Sequence, residues 1–162
     1  MEKLFDSLSP RRAIMLRGST KRAVIEELVD AICADFPVLD RSNVLSAVLQ
    51  REDTISSWIA PGIALPHARL PEIGRSILAV GLSASGVSYG GADSGPVHLV
   101  FLIIGDSDEP DRHINLLASM VRTLRRPGVQ ARLMSAESPK SLLAVLRRAE
   151  ATLDTLMQTV PD

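Results

Sequence analysis

The segment Val97-His98-Leu99-Val100-Phe101-Leu102-Ile103-Ile104 constrains this chain more than any other. It is apolar at every position except His98. Successive side chains of a strand point to opposite faces, so a strand apolar at both parities needs cover on both sides. The run is far too short to cross a bilayer as a helix. It predicts a central strand, and the cover has to come from elsewhere in the chain.

That cover reads as amphipathic helices. From Thr20 to about Asp35, Val24, Leu28, Ala31 and Ile32 recur at helical spacing, opposite Lys21, Arg22, Glu26, Glu27 and Asp30. Gly18-Ser19-Thr20 supplies a stop and an N-cap, and Phe36-Pro37 ends the helix. Asp40 caps a second helix with Val44, Ala47 and Val48 on one stripe, and Arg51-Glu52-Asp53 reads as a charged break after it. Pro110 and Asp111 open a third, in which Leu117, Met120, Val121 and Leu124 share a face until Pro127-Gly128. A short element covers Val129 to Met134. Ser138-Pro139 then starts a last helix with Leu142, Val145, Leu146 and Ala149 inward. Residues after Asp154, about 155–162, are expected to fray.

The remaining strands are shorter. Ser9-Pro10 opens a turn, and Ala13 to Leu16 reads as an edge strand. Ser76 to Ser83 is a strand, and Val87-Ser88-Tyr89 a short one before a Gly90-Gly91 turn. Leu70 to Gly74 is a loop. The expected fold class is α/β: a small mixed central sheet flanked by helices on both faces, in a single domain over residues 1–162 with its core at about 8–148.

Composition removes several function classes. A net charge of -1 gives no basis for binding nucleic acid or an anionic membrane. Three Phe, one Tyr and one Trp are too few for a base-stacking surface. Met1 to Ser7 lacks the apolar core of a secretion signal, and the single cysteine cannot form an internal disulfide, so a cytoplasmic location is expected. Cys33 lies among Leu28, Val29 and Ile32 and reads as a small core residue.

The candidate chemistry centres on Gly62-Ile63-Ala64-Leu65-Pro66-His67-Ala68-Arg69. Ile63 to Leu65 reads as the end of a buried strand. Pro66 has no N–H to continue a ladder, so the chain is expected to leave the sheet there and present His67 at a rigid strand end. A neutral imidazole can act as a base, a metal ligand or a nucleophile, or simply cap the strand. His113 lies four residues before Leu117, on the inward stripe of its helix, where a polar ring needs a partner. It either bonds a carbonyl or meets His67 in space. Arg51 is either a solvated charge beside Glu52 or a guanidinium aimed at a phosphate, and Arg69 has the same two readings. A metal site from His67, His98 and His113 is poorly supported, because no paired-histidine helical spacing or Cys-x-x-Cys is present. Gly81 to Gly86 is one residue too long for a nucleophile elbow, and Gly90 to Gly95 lacks the ending of a phosphate loop.

Several of these motifs occur together, in order, in one family. Arg51-Glu52 and Gly62 to Arg69 are followed by Gly86-Val87-Ser88-Tyr89 with Asp93, by Pro96 to Leu102, and by His113-Ile114-Asn115-Leu116-Leu117-Ala118. The set resembles enzyme IIA domains of the bacterial phosphoenolpyruvate:sugar phosphotransferase system, fructose/mannitol class, from about Leu8 to about Arg148. Leu8-Ser9-Pro10 and Ser19-Thr20-Lys21-Arg22 are similar to its nitrogen-regulatory branch, whose members stand alone. Where the family usually has a Ser-Thr-Gly-Ile-Gly-x-Gly loop, this chain has Ser56-Ser57-Trp58-Ile59-Ala60-Pro61-Gly62.

The resemblance implies that His67 accepts a phosphoryl group from a phosphohistidine carrier protein (HPr/NPr-like). It implies that Arg51 and His113 hold that group, with Ser57 and Arg69 as further phosphoryl contacts, and that neither a metal nor a nucleotide cofactor is needed. Downstream partners would be regulatory target proteins, or a IIB subunit if the chain is the IIA component of a fructose/mannitol-type transporter. A non-catalytic regulatory binding module is the other alternative. The bulkier loop around Trp58 bears on which partner binds.

Overall fold

The apolar run becomes the centre of the sheet. The computed structural model describes residues 4–5, 8–54, 57–90 and 95–158, with side chains described through 151. After a 3-10 turn at Pro10–Arg12 capped by the Ser9 hydroxyl, the elements are β1 (Ala13–Met15), α1 (Lys21–Asp35), α2 (Arg41–Thr54), β2 (Trp58–Ala60), β3 (Ile63–Ala64), β4 (His67–Leu70), β5 (Ile77–Val87), β6 (Val97–Asp106), α3 (Pro110–Leu124), α4 (Val129–Met134) and α5 (Pro139–Gln158). Ser56, Gly91 and Asp93, noted in the sequence, lie outside the described residues.

The strands form one mixed six-stranded sheet in the order β1-β5-β6-β3-β2, with β4 also paired to β6. β5 runs antiparallel to β6 and β2 antiparallel to β3, while β1 runs parallel to β5, and β3 and β4 run parallel to β6. Parity sorts β6 as its sequence requires. Leu99, Phe101 and Ile103 join the core beneath α3, α4 and α5, with Phe5 and Leu8. Val100, Leu102 and Ile104 join the core beneath α1 and α2. The sheet is therefore sandwiched between helices, as the two-sided apolar run demands.

Helix starts follow local chemistry. The Thr20 hydroxyl accepts from the Ala23 N–H at 3.2 Å, and the Asp40 carboxylate from the Asn43 N–H at 3.0 Å. Ser138 does the same for Ser141, with Pro139 as the first helical residue. Among the described residues, no helix is long and apolar enough to cross a membrane.

Three expectations are corrected. Arg51-Glu52-Asp53 is not a break but the last turn of α2, because Glu52 follows Val48 by four residues and turns inward with it. Val87 is not a separate strand but the end of β5, which carries an irregularity between Leu82 and Val87. The chain also does not leave the sheet at Pro66. β3 pairs Ile63 and Ala64 with Leu99 and Val100, and β4 pairs His67 and Ala68 with Ile103 and Ile104, in the same register. Pro66 lacks a donor, but its carbonyl accepts from the Ile103 N–H at 3.1 Å, which carries the chain across the gap.

Gly62 makes the turn into β3 with φ +81°, a conformation glycine adopts without strain, and its carbonyl accepts from the His98 and Leu99 N–H groups. Gly105 serves a different need. A Cβ there would lie 2.3 Å from Nδ1 of His113, so α3 packs its histidine against bare backbone. We predict that Gly105→Ala destabilises the fold by about 1–3 kcal/mol through overpacking. Urea denaturation checks this, and an unshifted midpoint would show that His113 moves aside freely.

Candidate functional site

Strand parity places His67 on the same face as Ile63 and Leu65, which are buried against the α3–α5 layer. His67 is half-buried where the broken strand resumes. Its Nδ1 lies 2.9 Å from the Leu65 carbonyl oxygen. A carbonyl only accepts, so Nδ1 carries the proton and Nε2 keeps the lone pair.

His113 lies in the first turn of α3, which begins at Pro110. It is 4% exposed, over Gly105, the residue that pairs with Arg69 across the ladder. The sheet thus brings the two histidines together, with ring centroids 5.5 Å apart and ring planes inclined by 50°. Among the described residues, both ring nitrogens of His113 are buried without a hydrogen-bond partner. Buried polar atoms are nearly always satisfied, so the N–H of this ring marks a place where a ligand oxygen would be welcome.

The electrostatics keep both rings neutral. Burial lowers the His67 pKa most; the Leu65 carbonyl opposes that, the Arg51 charge adds to it, Glu52 opposes it, and Arg69 adds to it. Burial likewise dominates at His113; the neighbouring His67, which would repel a second proton, then Arg69 and Arg51, add to it, and its pKa comes down to about 4. Arg51, half-buried in the last turn of α2, and Arg69, exposed on β4, therefore both act on the histidine pair.

The Ser57 hydroxyl is engaged elsewhere. It bonds the carboxylate of Glu52 and lies 3.0 Å from the Tyr89 hydroxyl, although its backbone carbonyl accepts from the Leu65 N–H beside His67. Glu52, buried to 5% exposure, also accepts from the Tyr89 hydroxyl at 2.7 Å and from the Ser57 N–H, and pairs with Lys21 at 3.4 Å. Glu52, Tyr89 and Lys21 were not legible as site residues. The available signal was Glu52 itself, an acid on the Val44–Val48 stripe of α2.

His98 stands apart. Its Nδ1 meets the Ser83 carbonyl at 2.8 Å, and it lies five residues along β6 from Ile103, roughly 16 Å at strand spacing. Among the described residues, no group of three His, Cys, Asp or Glu side chains could hold a metal ion. Cys33 is half-buried against the α1–α2 core, where burial raises its thiol pKa. Two surface clefts, one between β2 and the α3–α4 turn and one lined by Ser85 to Gly90, include neither His67 nor His113.

Comparison with known proteins gives the family. Residues 10–149 match the family described as phosphoenolpyruvate-dependent sugar phosphotransferase system, EIIA 2, and the chain belongs to that family. The fructose-specific EIIA component of Haloferax volcanii is 30% identical over 142 residues, covering 86% of this chain and 92% of that protein. A nitrogen regulatory protein of Pseudomonas aeruginosa is 28% identical over 147 residues, covering 90% and 96%. The chain spans only 21% of the fructose-specific EIIABC component of Bacillus subtilis, at 30% identity over 82% of this chain. The crystal structure of the nitrogen regulatory protein IIA-Ntr from Neisseria meningitidis has the same fold, with a TM-score of 0.80 at 19% identity, covering 88% of this chain and 98% of that one.

The depressed His113 pKa fixes the sign of a pH dependence. Between its ordinary value of 6.5 and about 4, the unfolded chain binds a proton that the folded chain refuses. Stability is therefore intact above 6.5 and falls as the pH drops towards 4. His113→Asn should remove up to about 1.4 kcal/mol per pH unit from that slope. Denaturation of both proteins across the window measures the difference, and parallel curves would mean that His113 is not buried neutral.

Proposed function

We propose that this protein is a phosphoryl carrier of the nitrogen-regulatory phosphotransferase system. It takes phosphate on His67 from a phosphohistidine carrier protein and regulates its targets by its phosphorylation state. The observation that carries the proposal is the facing pair His67 and His113, one with a free lone pair and the other with two orphaned nitrogens.

In the transfer, Nε2 of His67 attacks phosphorus, the donor's N–P bond breaks, and its electron pair returns to the donor imidazole. No proton has to move. The phosphorylated His67 ring is cationic, and its Nδ1–H remains against the Leu65 carbonyl. Neutral His113 donates one N–H to a phosphoryl oxygen, while Arg51 and Arg69 supply positive charge. Phosphoryl transfer asks a protein chiefly for positioning and charge stabilisation, and these residues supply both without a metal or nucleotide. The open face around His67 suits delivery by another protein in the cytoplasm. The added charge next to exposed Ile114 alters which surface that face presents to a partner.

The second reading is a IIA subunit that passes phosphate to a sugar-specific IIB protein, which the 30% identity to a fructose-specific component favours. Both readings share His67 and differ in the acceptor.

Incubation with a phosphorylated carrier should add one acid-labile phosphoryl group to the intact mass. His67→Ala should take up none, and persistence of label in that variant would end the assignment. Arg51→Ala and His113→Ala should remain folded yet accept phosphate ~10²–10³ more slowly. Stopped-flow quench with mass detection reads those rates.

Trp58 offers an independent readout. It is 37% exposed on the edge strand β2, and it pairs with Ala64 three residues before His67. As the only tryptophan, it should change its emission when the phosphorylated carrier is added, and not in His67→Ala. A fluorescence titration that leaves wild-type emission unchanged would make β2 a structural plug rather than a recognition surface.

A further inference from the structure

A buried polar cluster lies behind the histidine pair, and the transfer chemistry leaves it without a task. Glu52 is 5% exposed and makes two kinds of bond. Its carboxylate accepts from the N–H of Ser57 at 3.2 Å and from the Ser57 hydroxyl, and it also accepts from the Tyr89 hydroxyl at 2.7 Å. The one cation paired with it among the described residues is Lys21 at 3.4 Å, whose ammonium also lies 4.8 Å from the centre of the Tyr89 ring.

Ser57 is passed forward by backbone. Its carbonyl accepts from the Leu65 N–H at 2.9 Å, and the Leu65 carbonyl faces Nδ1 of His67 at 2.9 Å. Three hydrogen bonds thus run from a buried carboxylate to the imidazole. The N–H and C=O of Ser57 belong to different peptide groups, as do those of Leu65, so the link is geometric rather than a conduit for polarisation. A carboxylate fixed on three sides holds the Ser57 backbone still, which holds Leu65, whose carbonyl sets the rotation and tautomer of His67.

We infer that Glu52 is a positioning residue for His67, acting through the backbone of Ser57 and Leu65, with Tyr89 and Lys21 holding the carboxylate in place. The inference rests on His67 as the phosphoryl acceptor. It also accounts for the Ser57 hydroxyl turning away from the histidine pair, since that hydroxyl helps anchor the carboxylate. Arg51 follows from the same anchor: it precedes Glu52 in the last turn of α2, so pinning Glu52 fixes where that guanidinium starts. The charges facing His67 are Arg51 and Glu52 from α2 and Arg69 from its own strand, with the neutral ring of His113 facing it from α3.

The test pairs two substitutions and two readouts. Glu52→Gln keeps one oxygen for Ser57 and Tyr89 but loses the charge and with it the Lys21 ion pair. Glu52→Ala loses the hold. Ring ¹⁵N shifts of His67 report the tautomer without any partner protein, and single-turnover phosphorylation by the carrier reports the rate. In Glu52→Ala we expect Nδ1–H to give way to a tautomer mixture, and the rate at saturating carrier to fall roughly ten- to a hundredfold. In Glu52→Gln we expect the wild-type tautomer and a rate within about threefold of wild type, the change expected when geometry is kept. A wild-type tautomer and rate in Glu52→Ala would overturn the inference, as would a Gln variant as impaired as the Ala variant. If Glu52→Ala does not fold, Tyr89→Phe takes its place: a tautomer shift supports the hold and an unshifted ring overturns it. If wild-type protein accepts no phosphate, the proposed function fails, while the tautomer measurement still decides the role of Glu52.

Discussion

Everything near the candidate site depends on one pairing: the broken strand 63–70 lying in unbroken register along β6. β6 is immobilised by burial on both faces and by β5 on its other edge. A strand docked to it inherits that rigidity. The break at Leu65-Pro66 falls within the docked stretch, so local irregularity is available without loss of register. There the Leu65 carbonyl turns to His67 while the Pro66 carbonyl still serves the ladder. A proline in a fully paired central strand would cost a hydrogen bond. Here it sits where the ladder needs only an acceptor.

The same pairing sets the electrostatics. His67 faces Ile103 across the ladder, and Arg69 faces Gly105. The absent side chain at Gly105 is the space His113 fills. Two imidazoles in contact, both depressed by burial and by arginines, stay neutral where ordinary histidines begin to titrate. A site of this kind favours an incoming anion over a cation. It is electron-rich at one nitrogen and positive around it, which suits the phosphoryl acceptor proposed for His67.

The edge of the sheet takes up the bulk of Trp58 without disturbing that arrangement. β2 carries Trp58 where the family resemblance leads one to expect a glycine, and β2 is a strand. The carbonyl of Ile59 in β2 and that of Pro61 just after it accept from Arg125 and Gln130 on the α3–α4 side. Those side chains cover an edge that would otherwise invite pairing with another chain. The bulk of Trp58 is accommodated at the surface rather than in the core.

The sequence by itself determined the layers. Two-sided apolarity of Val97–Ile104, helical stripes with Thr20, Asp40 and Ser138 as caps, and stops at Pro37 and Gly128 are local signals, each set by chemistry within a few residues. His67 and His113 were legible as candidates for the same reason, one after a proline at a strand end and the other on an inward helical stripe. Only the tertiary structure decided that they meet, because their separation depends on strand order and on the missing side chain at Gly105. It alone decided that the strand continues past Pro66, since register is a property of two strands and not of one. It decided Glu52 as well. An acid next to an arginine at a helix end reads as solvated until the fold places a serine backbone and a tyrosine hydroxyl around it, and those partners come from five and thirty-seven residues away.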